Sequence, residues 1–326
     1  MGNQFKHRLW LGVIALMVGI LTFYGVSSEA QLGKLTVDGG RLRSHLTQLA
    51  TERYTNLALA RTRAYLTQQL QDYGYEPTTQ SFGSGDSVGT NLSVVRLGTQ
   101  DPEHTILVGA HYDSVAGSPG ADDNASAVAA ALEVARLFAD YPTDKTLQVV
   151  FFDQEELQPE GAGLLGSNAF VGEANNLDGL ESAIILEMLG YACYEPGCQR
   201  YPTGLEQQNF PSQGDFIGVI GDADHPDLLA VFETSAGSEP AADRPLRAVT
   251  LPVPVGALPF MPDLFRSDHV PFWLKGVGAV MVSDTANFRN PNYHRSSDTV
   301  ESLELDFLNQ TTQYVVERLE RLLTAG

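Results

Sequence analysis

The fold class is decided by residues 105–156, which read TILVGAHYDSVAGSPGADDNASAVAAALEVARLFADYPTDKTLQVVFFDQEE. A short apolar strand at 105–110 comes first, an Ala-rich amphipathic helix follows at 126–139, and a second apolar strand occupies 146–153. Buried strands that alternate with helices predict a mostly parallel sheet with helices on both faces. We therefore expect an α/β fold, a three-layer α/β/α sandwich around a mixed, mostly parallel sheet.

The same alternation continues on both sides of this segment. A helix is predicted at residues 39–73, followed by two strands at 76–82 and 90–97 around a Gly/Ser turn. Two further buried strands are predicted at 182–188 and 277–282, and a final helix at 303–323.

A Pro-rich segment interrupts the pattern. Ten of the 17 prolines lie between residues 190 and 262, which we expect to be an irregular insertion with one helix at 226–234. Residues with possible catalytic chemistry occur on both sides of it, from 111 to 298. The sequence therefore predicts one catalytic domain over residues 31–326.

The first 30 residues have the pattern of an export signal. Lys6 and Arg8 precede an uncharged apolar run at 9–26, and Ser28-Glu29-Ala30 fits a cleavage site. The run is long for a signal peptide and close to the lower limit of a membrane span, so an N-terminal membrane anchor stays open. Either interpretation places the rest of the chain outside the cytoplasm.

The charge balance restricts the partners. Forty acidic side chains against 20 basic ones give a net charge of −20. Nucleic acids and anionic membrane surfaces are bound through basic patches, so neither is expected as the main partner. A hydrophobic content of 43% is enough for a sizeable core.

The two cysteines stand close together, in the sequence Cys193-Tyr-Glu-Pro-Gly-Cys198. Because Pro-Gly turns the chain between them, a small disulfide loop is expected in an oxidising compartment. Two free thiols are the alternative. A zinc site is not expected here, since no further ligands are nearby.

Residues of the metal-ligand type follow four of the predicted strands. Taken singly, each has an ordinary structural explanation, such as a solvated acidic pair, a structural histidine or a helix N-cap. Their joint occurrence is informative, because ligands bind at the carboxyl ends of strands in open parallel sheets. The residues are His111 and Asp113, Asp123 at the start of the next helix, Asp153, Glu155 and Glu156, then Glu187, and finally His294 and Asp298.

This set of side chains suits divalent metal ions. Imidazole and carboxylate without thiolate favour zinc, with cobalt and manganese as alternatives, and a bridging carboxylate can hold two ions. Two such ions can activate water for hydrolysis. Hydrolysis also needs a carboxylate beside the ligands as general base, and the adjacent Glu155 and Glu156 supply one ligand and one base.

At this point the sequence resembles a known family, the secreted co-catalytic dizinc aminopeptidases, whose wider clan includes glutaminyl cyclases and glutamate carboxypeptidases. The resemblance covers about residues 40–326 and is strongest in His111–Leu137, Phe151–Phe170 and Arg266–Leu303. It implies the zinc-exopeptidase fold, two zinc ions, peptide or protein substrates and a monomer.

The resemblance also implies a role for individual residues. Asp123 bridges the two zinc ions in the family pattern, and the peptide bond after it is typically cis. The pattern implies that His111 and Glu187 bind one zinc ion and that Glu156 and His294 bind the other. It also implies that Glu155 is the general base, that Asp113 orients His111, and that Tyr293 donates a hydrogen bond to the oxyanion.

The chain departs from the family pattern at Glu187, where many members have Asp, and this weakens the exopeptidase assignment more than the metal site. Arg266 falls in a pocket-lining stretch and is a candidate for substrate binding. Asp298 is either a partner of His294 or a loop brace. We also expect a preference for apolar first residues, with candidate pocket residues Phe265, Phe272, Trp273 and Phe288.

Other functions stay open at this stage. A carboxypeptidase needs a cation for the substrate carboxylate, and Arg266, Arg289 or Arg295 is available for that purpose. A glutaminyl-cyclase-like enzyme uses a single zinc, whereas the full ligand set here favours two metals. A non-catalytic ectodomain is disfavoured because such relatives lose ligands and this chain has lost none.

Overall fold

An eight-stranded mixed sheet forms the centre of the molecule in the computed structural model, which describes residues 34–84, 87–158, 161–205, 209–233 and 246–324. Residues from Leu35 onwards form one compact unit. The predicted export segment at 1–30 lies outside the described residues. In the part of the chain that is described, none of the helices combines the length and the apolar character that a membrane crossing requires.

The helices and strands alternate through most of the chain. The helices are α1 (Gly39–Leu49), α2 (Asn56–Asp72), α3 (Ala127–Phe138), α4 (Leu165–Gly172), α5 (Pro226–Val231), α6 (His269–Leu274) and α7 (Leu305–Thr324). The strands are β1 (Thr78–Ser84), β2 (Ser87–Arg96), β3 (Asp101–His111), β4 (Lys145–Phe152), β5 (Leu180–Glu187), β6 (Phe216–Asp222), β7 (Arg247–Val253) and β8 (Gly278–Ser283).

The strand order across the sheet is β1-β2-β4-β3-β5-β8-β6-β7. Strands β4, β3, β5 and β8 are parallel neighbours in the middle, and β6 and β7 are parallel to each other. Antiparallel pairing joins β1 to β2, β2 to β4 and β6 to β8. The predicted mixed, mostly parallel sheet is therefore confirmed.

Each central strand is buried on both faces, which explains its continuous apolar sequence. In β3, Ile106 and Val108 pack into the core beneath α1, α2, α3 and α7, whereas Leu107 packs into the core beneath α4 and α6. Neighbouring residues thus serve opposite faces because side chains alternate along a strand. The three-layer sandwich is confirmed.

The predicted single helix over 39–73 is wrong, because residues 50–55 separate α1 from α2. Thr55 begins α2 by accepting a hydrogen bond from the Ala58 amide on its side-chain oxygen. Arg53, inside the break, is turned into the protein and is almost fully buried. The break therefore serves the site described below.

The Pro-rich segment is also more regular than expected. Residues 216–222 and 247–253 form β6 and β7, and the expectation of an irregular insertion is wrong for both. Pro252 lies within β7, which is the edge strand of the sheet, where the missing amide donor of proline is tolerated. The helix expected at 226–234 is present as α5 but ends at Val231.

Candidate metal centre and active site

The carboxyl ends of three neighbouring parallel strands bring the predicted ligands together. His111 is the last residue of β3, Glu187 is the last residue of β5, and Glu155 and Glu156 follow the end of β4. Because β3 lies between β4 and β5, these side chains meet at one edge of the sheet. Asp123 joins them from the turn Ala121–Ser126 that precedes α3.

The first group of possible ligands surrounds the His111 imidazole. Its Nε2 lies 3.3 Å from Asp123 Oδ1 and 3.5 Å from Glu187 Oε1. Glu155 Oε2 is more distant from the same nitrogen, at 3.9 Å. One atom each from His111, Glu155 and Glu187 lies within 4.8 Å of the others, so this group can hold a metal ion.

The second group lies on the other side of Asp123. His294 Nε2 is 3.1 Å from Asp123 Oδ2 and 3.2 Å from Glu156 Oε2, and the three residues form a second cluster with ligand atoms within 4.8 Å. The two oxygens of Asp123 therefore face different histidines. This is the geometry of a carboxylate that bridges two metal positions.

The donor atoms fit divalent ions. His111 Nε2 and Glu156 Oε1 are buried and have no hydrogen-bond partner among the described residues. Buried polar atoms of this kind are costly unless something binds them. Nitrogen and carboxylate oxygen, without sulfur, are suitable ligands for zinc, and two groups joined by Asp123 provide two positions.

The protonation behaviour of the cluster indicates an excess of negative charge. Burial raises the pKa of Glu155 well above its usual value, and the carboxylates of Glu187 and Glu156 act in the same direction. Burial also raises the pKa of Glu156, to about 7. Burial lowers the pKa of His111, but the Glu187 and Glu155 carboxylates raise it well above its usual value. A cluster that retains protons in this way attracts cations.

Asp113 connects the first histidine to the acidic pair. Its Oδ1 lies 3.3 Å from His111 Nδ1, the ring nitrogen that faces away from the metal position. The same carboxylate accepts hydrogen bonds from the backbone amides of Glu155 and Glu156, each at 3.1 Å. Asp113 therefore orients the imidazole, as expected, and also fixes the backbone of both glutamates.

The loop that carries Asp123 is braced from two sides. The Asp298 carboxylate accepts hydrogen bonds from the backbone amides of Asp122 and Asp123, at 3.0 and 3.2 Å. Of the two roles considered for Asp298, the structure places it as a brace for this loop. Asn124 ties the loop to the end of β5 through Leu186 and Met188. As the resemblance implied, the peptide bond between Asp123 and Asn124 is cis.

Arg53 is hydrogen-bonded to the backbone of the same loop. Its five N–H groups are shared among six backbone carbonyl oxygens, those of Leu49, Thr51, Tyr112, Pro119, Gly120 and Asp123. Burial lowers its pKa to about 10, and the nearby carboxylates of Asp123 and Asp113 act in the opposite direction. The group therefore stays charged at neutral pH and fixes the backbone between residues 119 and 123.

Tyr293 lines the cavity beside His294. Its ring stacks on the His294 imidazole with a centroid distance of 3.7 Å. Its hydroxyl accepts a hydrogen bond of 2.9 Å from Arg266 Nη2. Arg266 Nη1 donates in addition to Asp263 and Asn287. The Tyr293 hydroxyl thus keeps its own proton available for a further acceptor.

Unusual backbone conformations occur next to the site. Gln154, Met188 and His294 have φ angles of 56°, 50° and 59°. The first precedes Glu155, the second follows Glu187, and the third is itself a predicted ligand. Non-glycine residues in this region carry backbone strain, which is concentrated at functional sites in proteins.

A cavity of about 620 Å³ opens beside the two ligand groups. Its wall includes Glu155, Glu187 and Tyr293, together with apolar side chains from the Pro-rich segment. Of the aromatic residues considered for a substrate pocket, Phe288 lines the cavity, and Phe265, Phe272 and Trp273 belong to the core beneath α4 and α6.

The two cysteines lie at one end of the segment that forms this wall. Cys193 and Cys198 are joined in a disulfide, and the residue pair Cys193 and Gly214 forms an isolated β-bridge. Gln199, directly after the disulfide, lines the cavity and accepts a hydrogen bond from Arg289. The disulfide therefore fixes one end of the cavity wall.

Comparison with known proteins agrees with this geometry. Residues 92–213 match the family model described as Peptidase family M28. The chain carries a peptidase family M28 domain. The M28 match includes His111, Asp123, Glu156 and Glu187 but ends before His294.

Two relatives are similar to this chain over a longer stretch than the family model. The chain is 33% identical over 222 residues to the uncharacterized protein YfbL of Escherichia coli, covering 66% of each chain. It is 30% identical over 222 residues to aminopeptidase YwaD of Bacillus subtilis, covering 64% of this chain and 39% of that protein. The chain thus spans about two thirds of the first relative and well under half of the second.

Two solved structures of other proteins have the same fold as this chain. The zinc aminopeptidase BSAP from Bacillus subtilis superposes with a TM-score of 0.67 at 15% identity and covers 90% of this chain and 97% of that chain. A glutaminyl cyclase from Macrostomum lignano gives a TM-score of 0.67 at 17% identity, covering 88% and 89%. Identities this low establish the fold alone.

Some residues of the site were not predicted. Ser267 donates a hydrogen bond of 2.6 Å to Glu187 Oε2 and is adjacent to Arg266, so the pocket-lining stretch already pointed to it. Asn124 follows a predicted ligand and had the same local signal. No local signal in the sequence pointed to Arg53, because a single arginine between two helical patterns is most often a solvated residue.

Proposed function

We propose that the protein is a metal-dependent aminopeptidase that uses two divalent ions, in the first place zinc, to release the N-terminal residue of peptides. The observation that supports this most directly is the position of Asp123, whose two oxygens face His111 and His294. Each histidine also has a second carboxylate within reach. A bridged pair of positions with a spare carboxylate alongside is suited to peptide hydrolysis.

The residues divide into holders of metal and participants in the reaction. His111 and Glu187 would hold one ion, Glu156 and His294 the other, and Asp123 both. When bound, the ions supply Lewis acidity that acidifies water and polarises a carbonyl group. Glu155 has the longest distance to His111 in its group, so we assign it the proton transfer rather than metal binding.

Glu155 and Tyr293 perform complementary steps in this proposal. The Glu155 carboxylate takes a proton from the attacking water and passes it to the departing amine. The Tyr293 hydroxyl, positioned by Arg266, donates a hydrogen bond to the oxygen on which negative charge develops. Both side chains line the cavity and can therefore reach a bound peptide.

The choice of the amino end is supported by the charges around the cavity. A protonated α-amine is a cation, and Glu155 and Glu187 place carboxylates at the cavity wall. Of the three candidate cations for a carboxypeptidase, Arg266 is the one that lines the cavity, and it is already hydrogen-bonded to Asp263, Asn287 and Tyr293. This engagement makes Arg266 a weaker candidate for a substrate carboxylate and favours its action through Tyr293.

The substrate polarity can be tested with two peptides that differ only in the blocked end. We expect N-acetylation to abolish cleavage, because it removes the cationic amine, and C-terminal amidation to leave cleavage nearly unchanged. The measurement is release of the first residue by chromatography. Hydrolysis of the acetylated peptide at the normal rate, together with loss of hydrolysis on amidation, would identify a carboxypeptidase instead.

The metal content provides a second test. Metal analysis of the purified protein should approach two ions per chain, and chelation should abolish activity in a way that added zinc reverses. The Asp123→Ala variant should lose both ions, since it removes the bridging carboxylate. Tight binding of one ion only, with cyclisation of N-terminal glutamine, would point to the glutaminyl-cyclase-like alternative.

We also propose that the catalytic domain acts outside the cytoplasm as a monomer. The export-like sequence of residues 1–30 and the Cys193–Cys198 disulfide support this location, because such bonds persist in oxidising compartments. Cleavage of the first 30 residues and retention as a membrane anchor are distinguished by the N-terminal sequence of the exported protein.

A further inference from the structure

The cavity beside the metal centre continues across the sheet, away from the ligands. Its floor includes Gly218 of β6, Val249 of β7 and Ser283 of β8. These strands lie on the side of β5 that is away from β3 and β4. The cavity therefore begins at the metal ligands and extends towards the edge of the sheet.

The strand register arranges the floor as a straight row. Glu187 is paired with Ser283, Ser283 with Gly218, and Gly218 with Val249. Residues paired across neighbouring strands point to the same face of a sheet. Since neighbouring strands are about 4.8 Å apart, the row spans about 14 Å from Glu187 to Val249.

The two middle positions of the row have small residues, and this is why a cavity exists there. Gly218 has no side chain, and Ser283 has a short one. Larger apolar side chains surround the row and form its walls: Phe216, Ile220, Leu251 and Met281. The cavity therefore begins at the metal ligands and continues over a floor of small residues between these apolar side chains.

The size of this space exceeds that of ordinary side chains. The whole cavity, from the metal ligands to Val249, has a volume of about 620 Å³, whereas an apolar cavity of about 150 Å³ is enough to hold benzene. A phenylalanine or leucine side chain beside the metal ligands is much shorter than the row of about 14 Å and would leave the part of the cavity over Gly218 and Val249 unfilled. Pockets of about 300–1,000 Å³ bury ligands much larger than one amino-acid side chain.

We infer that this space binds a long apolar chain on the residue whose amine and carbonyl are held at the metal centre, and that Gly218 determines the length accepted. The inference rests on the proposed aminopeptidase function and specifies its substrate class. The side chain of the first residue leaves the same carbon atom as the amine, beside Glu155 and Glu187. It can therefore follow the row from Glu187 towards Val249.

The test uses amino-acid anilides whose first residue carries an alkyl side chain of one to about ten carbons. We expect kcat/KM to rise about three- to fourfold for each added methylene, the factor that corresponds to burial of one such group, and to level off near about eight carbons. A matched series in which the alkyl chain is on the residue after the scissile bond should show little dependence.

Two variants shorten the space from different strands. A Cβ at Gly218 would lie 3.3 Å from the Ser283 carbonyl oxygen and from Thr285 Cγ2, so Gly218→Leu fills the middle of the row and strains its surroundings slightly. Val249→Phe fills the far end from β7. Each should reduce the ratio of rates on octyl and methyl substrates by at least about tenfold. Thr250→Phe adds the same bulk on the opposite face of β7 and should leave this ratio as in the wild type.

Binding of the free products separates this inference from the proposed function. Calorimetry with alanine and with 2-aminodecanoic acid should give at least about a hundredfold lower Kd for the longer molecule in the metal-loaded wild type, and a smaller difference in Gly218→Leu. Equal affinities, or rates that depend only on the chain after the scissile bond, would overturn the inference. Cleavage of acetylated peptides alone would instead overturn the aminopeptidase assignment and leave the binding result to stand.

Discussion

Glu155→Gln is expected to retain both metal ions and to lose about 10²- to 10⁴-fold in kcat. The substitution removes the proton acceptor and preserves the shape of the side chain. A positioned acid–base group contributes a factor of this size. In the metal-free site, burial and the carboxylates of Glu187 and Glu156 raise the pKa of Glu155, so this side chain binds a proton more readily than an exposed glutamate.

The measurement is turnover on a peptide substrate together with metal content for each variant. Glu156→Gln is the matched control, because it makes the same change at the adjacent residue, which faces His294. That variant should bind metal less tightly, whereas Glu155→Gln should not. Near-normal turnover in a fully metal-loaded Glu155→Gln would show that the base is a different group.

Arg53→Met is expected to destabilise the protein by about 3–5 kcal/mol. The change leaves six carbonyl oxygens without their charged donor, several of them buried, and each unpaired acceptor is costly. It should also weaken metal binding by about 10- to 100-fold, because the backbone of the Asp123 loop loses its support. Urea unfolding of the metal-free protein and metal titration measure the two effects separately.

Two controls define the cause of the Arg53 effect. Arg61→Met makes the same substitution on the exposed face of α2 and should change stability by less than about 0.5 kcal/mol. Arg53→Lys keeps the charge but cannot reach as many acceptors, so the stability of this variant should lie between that of Arg53→Met and that of the wild type. A loss in Arg53→Met no greater than in Arg61→Met would contradict the role assigned to this residue.

Residues near the ends of parallel strands could be predicted from the sequence because their positions follow from local rules. A buried strand is recognised by its apolar run, and its end is known to within a residue or two. Parallel neighbours then bring those ends to one edge of the sheet. His111, Glu156 and Glu187 follow directly from this reasoning, and the structure places them together with Asp123 and His294.

Two strands could not be predicted for an equally physical reason. Residues 216–222 and 247–253 lie in a segment rich in proline, which usually opposes sheet formation. Strand β7 tolerates Pro252 because it is at the edge of the sheet, and that position is a property of the whole topology. The local sequence does not indicate which strand will be at the edge of the sheet.

The sequence by itself determined the fold class and the candidate metal-binding residue types, and it contains the adjacent pair to which we assign the roles of ligand and base. Only the tertiary structure decided that Arg53 supports the Asp123 loop and that Glu187, Ser283, Gly218 and Val249 form one row. The physical reason is that alternation and strand ends depend on neighbours in the chain, whereas register and buried hydrogen bonds depend on residues far apart in it. The four residue types of the row can be read from the sequence, but only the folded sheet places these four residues next to one another.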